Sequence, residues 1–147
     1  MLYALYLPDG KIHQVNKLYV GKDELAAYEE RLHDQGQKFH KEPSAPGLLP
    51  PEKWMVNTSA IGLVKRPRMR ASALAKTIKA GTNAVILNIP KGGVVVDIMT
   101  SNVTVGSFTL QASDDEIEFP IPVPCIYRAI IRKWPYQDCT IDIEAVA

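Results

Sequence analysis

The chain has 147 residues, 46% of them hydrophobic, and a formal net charge of +1. That length holds one domain, or a small unit attached to a domain of roughly 70 to 80 residues, and the near-neutral charge leaves no global field to attract nucleic acid or an anionic membrane. No apolar run approaches the ~20 residues of a membrane-spanning helix, and two cysteines, Cys125 and Cys139, are too few for a disulfide framework.

Charge is slightly uneven along the chain. Residues 1–75 hold eleven Lys/Arg against eight Asp/Glu, and residues 76–147 hold six against eight, giving +3 and −2. At the start, "LYALYL" (2–7) and "IHQVNKLYV" (12–20) flank Pro8-Asp9-Gly10. Proline presets a turn and glycine accepts positive φ, so the segment reads as a β-hairpin. No basic region precedes this apolar start and no small-residue cleavage site follows it. A signal peptide is therefore not expected, and the chain should stay in the cytoplasm of the cell that makes it.

Residues 22–42, "KDELAAYEERLHDQGQKFHKE", read as a helix. Leu25, Tyr28, Leu32 and Phe39 recur at helical spacing while charges fill the other faces. Asp23 suits the N-cap, and Gly36 weakens the last turn. A helix with a single apolar stripe needs a surface to cover it, so these four side chains are candidate partner-binding residues.

Residues 43–51, "PSAPGLLPP", cannot continue a helix and read as an extended linker. Two short strand-like pieces follow, around Trp54–Asn57 and Ile61–Lys65. The second runs into "KRPRMR", four cations in six residues. A nucleic-acid site usually adds stacking aromatics or a groove-binding helix. Here Pro67 blocks a continuous helix and no aromatic is interleaved, so nucleic acid is disfavoured as a partner. The run reads as a solvated connector, or as a contact to an acidic protein surface.

Beyond residue 75 the texture changes. "TIKA", "AVILNIP", "GVVVDIM", "SFTLQA", "EIEFPI", "IYRAIIRKW" and "CTIDIEAVA" are strand-length and rich in β-branched and aromatic residues, separated by turn signals. Such spacing predicts an antiparallel β-sandwich or small barrel. In "TIDIEAV", Ile141, Ile143 and Ala145 face one way and Asp142 and Glu144 the other. The last hairpin turns through "WPYQD" and sets Cys139 near Arg132, so a Cys125–Cys139 disulfide is not expected. Tyr127, after the proline-rich "PIPVPC", stands where a corner tyrosine anchors its hydroxyl on nearby backbone in Greek-key sandwiches.

Sites for chemistry are hard to find. No Gly-x-Ser-x-Gly elbow is present, and no cysteine has a histidine near it in sequence. His33 and His40, two turns apart on the expected helix, are ~10 Å from each other, too far to share a metal ion. "IPKGGVVV" lacks phosphate-loop spacing and a following helix, and "SDDEIE" (113–118) reads as a turn with solvated charges. Catalytic, cofactor and metal sites are all expected to be absent. Trp134 and Tyr136, flanking Pro135, are the second candidate contact surface, for protein or, if exposed and coplanar, for sugar.

The tail resembles a group of small virion proteins of tailed bacteriophages and prophages. The resemblance rests on Tyr127-Arg128, the Trp134-Pro135-Tyr136 turn, Asp138 two positions later and Glu144-Ala145. Tyr6 to Gly10, Trp54 to Val56 and Arg66 to Met69 extend it forward, and it departs at "PIPVPCIY", where a simple Pro-Gly is expected. It implies a tail- or fibre-associated structural component and names no catalytic residues.

The resulting expectation is an α+β, β-dominated chain: a hairpin-helix attachment unit (1–42), a Pro-rich linker with short strands (43–74) and an antiparallel Ig-like β-sandwich (75–147). The expected role is that of a non-enzymatic virion protein that binds other virion proteins and copies of itself. A head decoration protein or a carbohydrate-binding host-recognition module is the alternative.

Overall fold

The computed structural model describes residues 1–43, 49–101 and 103–147. Of the expected linker, residues 44–48 lie outside the described residues. The chain is β-dominated, with one helix among the described residues, and divides into two compact units, Met1–Arg66 and Pro67–Ala147.

In the first unit, β1 (Leu2–Tyr6) is the central strand of a three-stranded antiparallel sheet, between β2 (Ile12–Lys17) and β3 (Lys38–Glu42). The helix α1 (Lys22–Asp34) covers one face of it. Tyr3 and Leu5 point to that face and meet Leu32, Leu25 and Tyr28. Ala4 points the other way, into a second cluster with Ile12 and Val56. Val56 belongs to a hairpin of β4 (Trp54–Asn57) and β5 (Gly62–Lys65). A strand covered on both faces needs no polar alternation, which accounts for the unbroken apolar "LYALY".

Three expectations change here. The helix ends at Asp34 instead of running to residue 42, because Gly36 takes φ +66° and its N–H returns to the His33 carbonyl at 2.9 Å, closing the last turn. Its N-cap is Gly21, whose N–H donates to Glu24 Oε2 at 2.8 Å, while Asp23 sits in the first turn, where its charge faces the positive end of the dipole. The unit also reaches past residue 42. The Val56 N–H donates to the Gly10 carbonyl at 2.9 Å and the Val56 side chain is fully buried, so the short strands of the expected linker complete the first core. Gly10 (φ +86°) is confined to glycine twice over, since a Cβ there would also strike the Val56 carbonyl.

The second unit holds β6 (Ser72–Ala73), β7 (Thr77–Lys79), β8 (Thr82–Leu87), β9 (Val95–Thr100), β10 (Val103–Thr109), β11 (Ile117–Ile121), β12 (Ile126–Arg132) and β13 (Cys139–Val146). They form a five-stranded sheet, β10-β9-β12-β13-β7, and a three-stranded sheet, β11-β8-β6. Alternate side chains of both sheets meet in one core that includes Ile86, Phe119, Ile98, Ile131 and Ile143. Pro120 is tolerated because β11 is an edge strand. The pairing is not wholly antiparallel. The chain changes sheets between β6 and β7, so β7 enters the second sheet alongside β13 and parallel to it.

Candidate functional site

The apolar stripe expected to meet a partner is turned inward. Leu32 is buried, Leu25 and Tyr28 pack beside it, and all three contact the unit's own sheet through Tyr3 and Leu5. Phe39 joins the same cluster from β3, not from the helix, with its ring 5.7 Å from Tyr3. A polar network ties these elements together. The Tyr3 hydroxyl donates to Glu29 Oε1 at 2.7 Å, Lys41 Nζ donates to both Glu29 oxygens at 3.1 Å, and Asn16 Nδ2 donates to the Tyr28 hydroxyl at 2.7 Å.

Burial, reinforced by the neighbouring carboxylate, pushes the Tyr3 hydroxyl up to about 12. The hydrogen bond from Tyr3, aided by Lys41, holds the Glu29 carboxyl below its ordinary range. The histidines take separate places: His33 is exposed on α1, and His40 lies on β3 with Nε2 3.7 Å from Glu42, beyond hydrogen-bond range.

"KRPRMR" spans the boundary between the units, and its cations divide accordingly. Lys65 lies over the Trp54 ring, 5.7 Å from its centroid, and Arg66 donates to the Pro51 carbonyl. After Pro67 the backbone is extended and alternates: Met69, Ala71 and Ala73 pack on the second core while Arg68, Arg70 and Ser72 point to solvent. Arg68 and Arg70 line a cavity of about 620 Å³ with Asn88, Lys91, Asp115 and Tyr136. Trp134 and Tyr136 are each half-buried on the β12–β13 loop. The loops framing the cavity are pinned by backbone hydrogen bonds, Gln137 N–H to Pro67 O, Ile89 N–H to Asp115 O and Gly92 N–H to Ala112 O, and by Lys133 Nζ to Gly92 O at 2.8 Å. "IPKGG" thus bends between β8 and β9, and "SDDEIE" leaves a turn at Ser113 and enters β11 at Ile117, with Asp114 accepting from the Gln111 N–H at 2.9 Å.

At the other end of β9 and β12 the surface is apolar. Val103, Val105, Val123 and Ile126 are 63%, 55%, 54% and 59% exposed, and each is therefore more solvated than buried. A groove of about 260 Å³ links Val105 to Val123 past Pro120 and Pro122, and a second, of about 360 Å³, joins Ile126 to Met99. Arg128 borders the second groove and is held bidentately by Asp142, at 2.8 and 2.9 Å. Beneath lies Tyr127, which is buried. Its hydroxyl donates to the Val123 carbonyl and accepts from the Val123 N–H, both at 3.2 Å, and burial pushes its pKa up. Cys125 and Cys139 are free thiols, Cys139 pairing with Ile131 across the hairpin.

Of the six candidate contact residues, Leu25, Tyr28, Leu32 and Phe39 come together as core, Trp134 is half-buried on its loop, and Tyr136 reaches a cavity. The sequence reads Arg68 and Arg70 only as part of a solvated connector or a contact to an acidic protein surface, and gives no role to Lys91 or to the exposed valines and Ile126 at the opposite end. Val103 and Val105 stand in the same alternation as the buried strand residues and Val123 between two prolines, so neither pattern separates exposed from buried. No protein-family model matches the chain, and no match is found among curated proteins or solved structures.

Proposed function

We propose that the chain is a structural protein of a tailed-phage virion, tail- or fibre-associated, and that it works by assembling with copies of itself through the apolar end of its second unit. In this reading the second unit is an Ig-like sandwich. The strand order supports that assignment: β6, β8 and β11 correspond to A, B and E, and β9, β10, β12 and β13 to C, C′, F and G. So do the first strand's division between the two sheets and the tyrosine corner at the start of β12. The virion assignment is supported by the phage-like pattern in the last twenty residues.

The observation that carries the contact role is the four-residue apolar end. Val105 and Val123 line one groove there and Ile126 with Met99 another, and apolar side chains gathered in exposed grooves mark an interaction site. None of Val103, Val105, Val123 and Ile126 is charged, and bordering Arg128 is already neutralised by Asp142, so a two-fold contact between copies sets no like charges against each other. The β-bulge between Thr104 and Gly106 interrupts the outer edge of β10, which favours side-chain contact over strand addition.

The test is mass spectrometry of purified particles. The wild-type chain is expected in them, and Val105→Glu/Ile126→Glu is expected to be lost from them while its circular dichroism is unchanged. Absence of the wild-type chain from particles, or normal incorporation of the double variant, contradicts the reading.

A further inference from the structure

We propose that the cavity walled by Arg68, Arg70, Lys91 and Tyr136 binds a discrete acidic saccharide unit, meaning a sugar-sized body bearing a carboxylate or phosphate. This site lies at the end of β9 and β12 opposite the apolar surface, and its occupancy does not depend on self-association.

Four observations lead there. The cavity, at about 620 Å³, falls within the ordinary range of small-ligand sites. Arg68 and Arg70 make no hydrogen bond or ion pair among the described residues. They stand two residues apart on extended backbone, so their guanidinium forks leave the chain on the same side, ~7 Å apart at the backbone, suited to grip one oxyanion. Met69 between them is anchored in the core, and the facing loop is held by the backbone bonds from Ile89 and Gly92. The arginines are therefore presented by a fixed frame, which lowers the ordering cost of binding. Lys91 is only loosely paired with Asp115, at 3.7 Å with both side chains more than half exposed, and can turn to a stronger anion.

The rest of the lining suits a sugar. Tyr136 offers a ring face for the C–H face of a pyranose, and Asn88 and Asp115 offer acceptors and a donor for hydroxyls. Charge distinguishes this ligand from a polynucleotide. Residues 67–147 carry eight Lys/Arg and eight Asp/Glu, a net charge of zero, and the exposed Asp114, Asp115 and Glu116 beside the cavity would repel a long polyanion. A polynucleotide needs a continuous basic track. One acidic group needs only the local fork.

The test is amide NMR of the ¹⁵N-labelled full chain titrated with glucuronic acid, glucose 6-phosphate, glucose, inorganic phosphate and an oligothymidylate of about ten nucleotides. Both acidic sugars are expected to shift amides in 68–70, 88–93 and 136–137, more strongly than inorganic phosphate, while glucose leaves them in place. Arg68→Ala/Arg70→Ala, both at exposed positions, is expected to weaken binding at least about tenfold without disturbing the rest of the spectrum, and Lys91→Ala to weaken it less. The proposal fails if neither acidic sugar shifts these amides, if glucose or inorganic phosphate does so equally, or if the double variant binds as before. It also fails if the oligothymidylate binds more tightly with a steep salt dependence, which would make the cavity a nucleic-acid site.

Discussion

β1 and β13 are both interior strands of their sheets, yet they present different side chains. β1 is an unbroken apolar run, because α1 lies on one of its faces and the β4–β5 hairpin on the other. β13 alternates, with Ile141, Ile143 and Ala145 inward and Asp142 and Glu144 outward, because only one face of its sheet is covered. The cores differ in kind as well. Under α1 the leucines share the core with the Tyr3, Tyr28 and Phe39 rings, stitched by Glu29 and Lys41, whereas the second core is largely aliphatic around Phe119. The polar network on the rings of the first unit has no counterpart in the core around Phe119 among the described residues, and that difference makes the two units separable by mutation and by pH.

The largest effect expected is from Leu32→Asp, which buries an unpaired carboxylate against Tyr3 and Leu5 and costs more than about 4 kcal/mol. Amide signals of residues 1–66 should collapse while those of 67–147 persist. The mirror experiment is Phe119→Ala, at about 3–5 kcal/mol, with the opposite distribution. Loss of both sets of signals in either variant would break the distinction between two cores.

Gly10→Ala is expected to cost about 2–3 kcal/mol and to register in β1, β4 and β5 only, read by hydrogen exchange. Equal exchange in the variant and the wild type would remove the claimed role of the Gly10–Val56 contact.

A smaller effect, in pH, sharpens the contrast further. Tyr3 titrates higher in the folded chain than its ordinary 10.0, so its contribution is fully present below pH 10 and is lost as pH rises toward about 12. Glu29 titrates lower than its ordinary 4.5, so its contribution is present above that value and fades as pH falls below it. The first unit should therefore weaken at both extremes. Tyr3→Phe should flatten the alkaline limb and Glu29→Gln the acid limb, followed by urea denaturation with probes in residues 1–66. Limbs unchanged in these variants would show that other groups set the pH dependence.

The second unit was the more legible part. Its strands alternate and are punctuated by glycine, proline and aspartate, a pattern that marks seven of its eight. Two-residue β6 escaped because "ASA" has neither β-branching nor length. The first unit was harder to read. Phe39 follows Leu32 by seven residues, a spacing that suits a continuing helix equally well, and only the closing geometry at Gly36 separates it onto a strand. An amphipathic stripe shows that a surface must be covered, not whether the chain covers it itself. The cavity was illegible for another reason: Arg68, Lys91 and Tyr136 are far apart in sequence, and only the folding of the two sheets brings them together.

Sedimentation equilibrium of the full chain, at concentrations up to about 100 µM where specific weak contacts register, tests the central claim of self-assembly most directly. The account predicts reversible association of the wild type, abolished by Val105→Glu/Ile126→Glu and untouched by Arg68→Ala/Arg70→Ala. A wild-type chain that stays monomeric throughout, or a double glutamate variant that associates equally well, would contradict it.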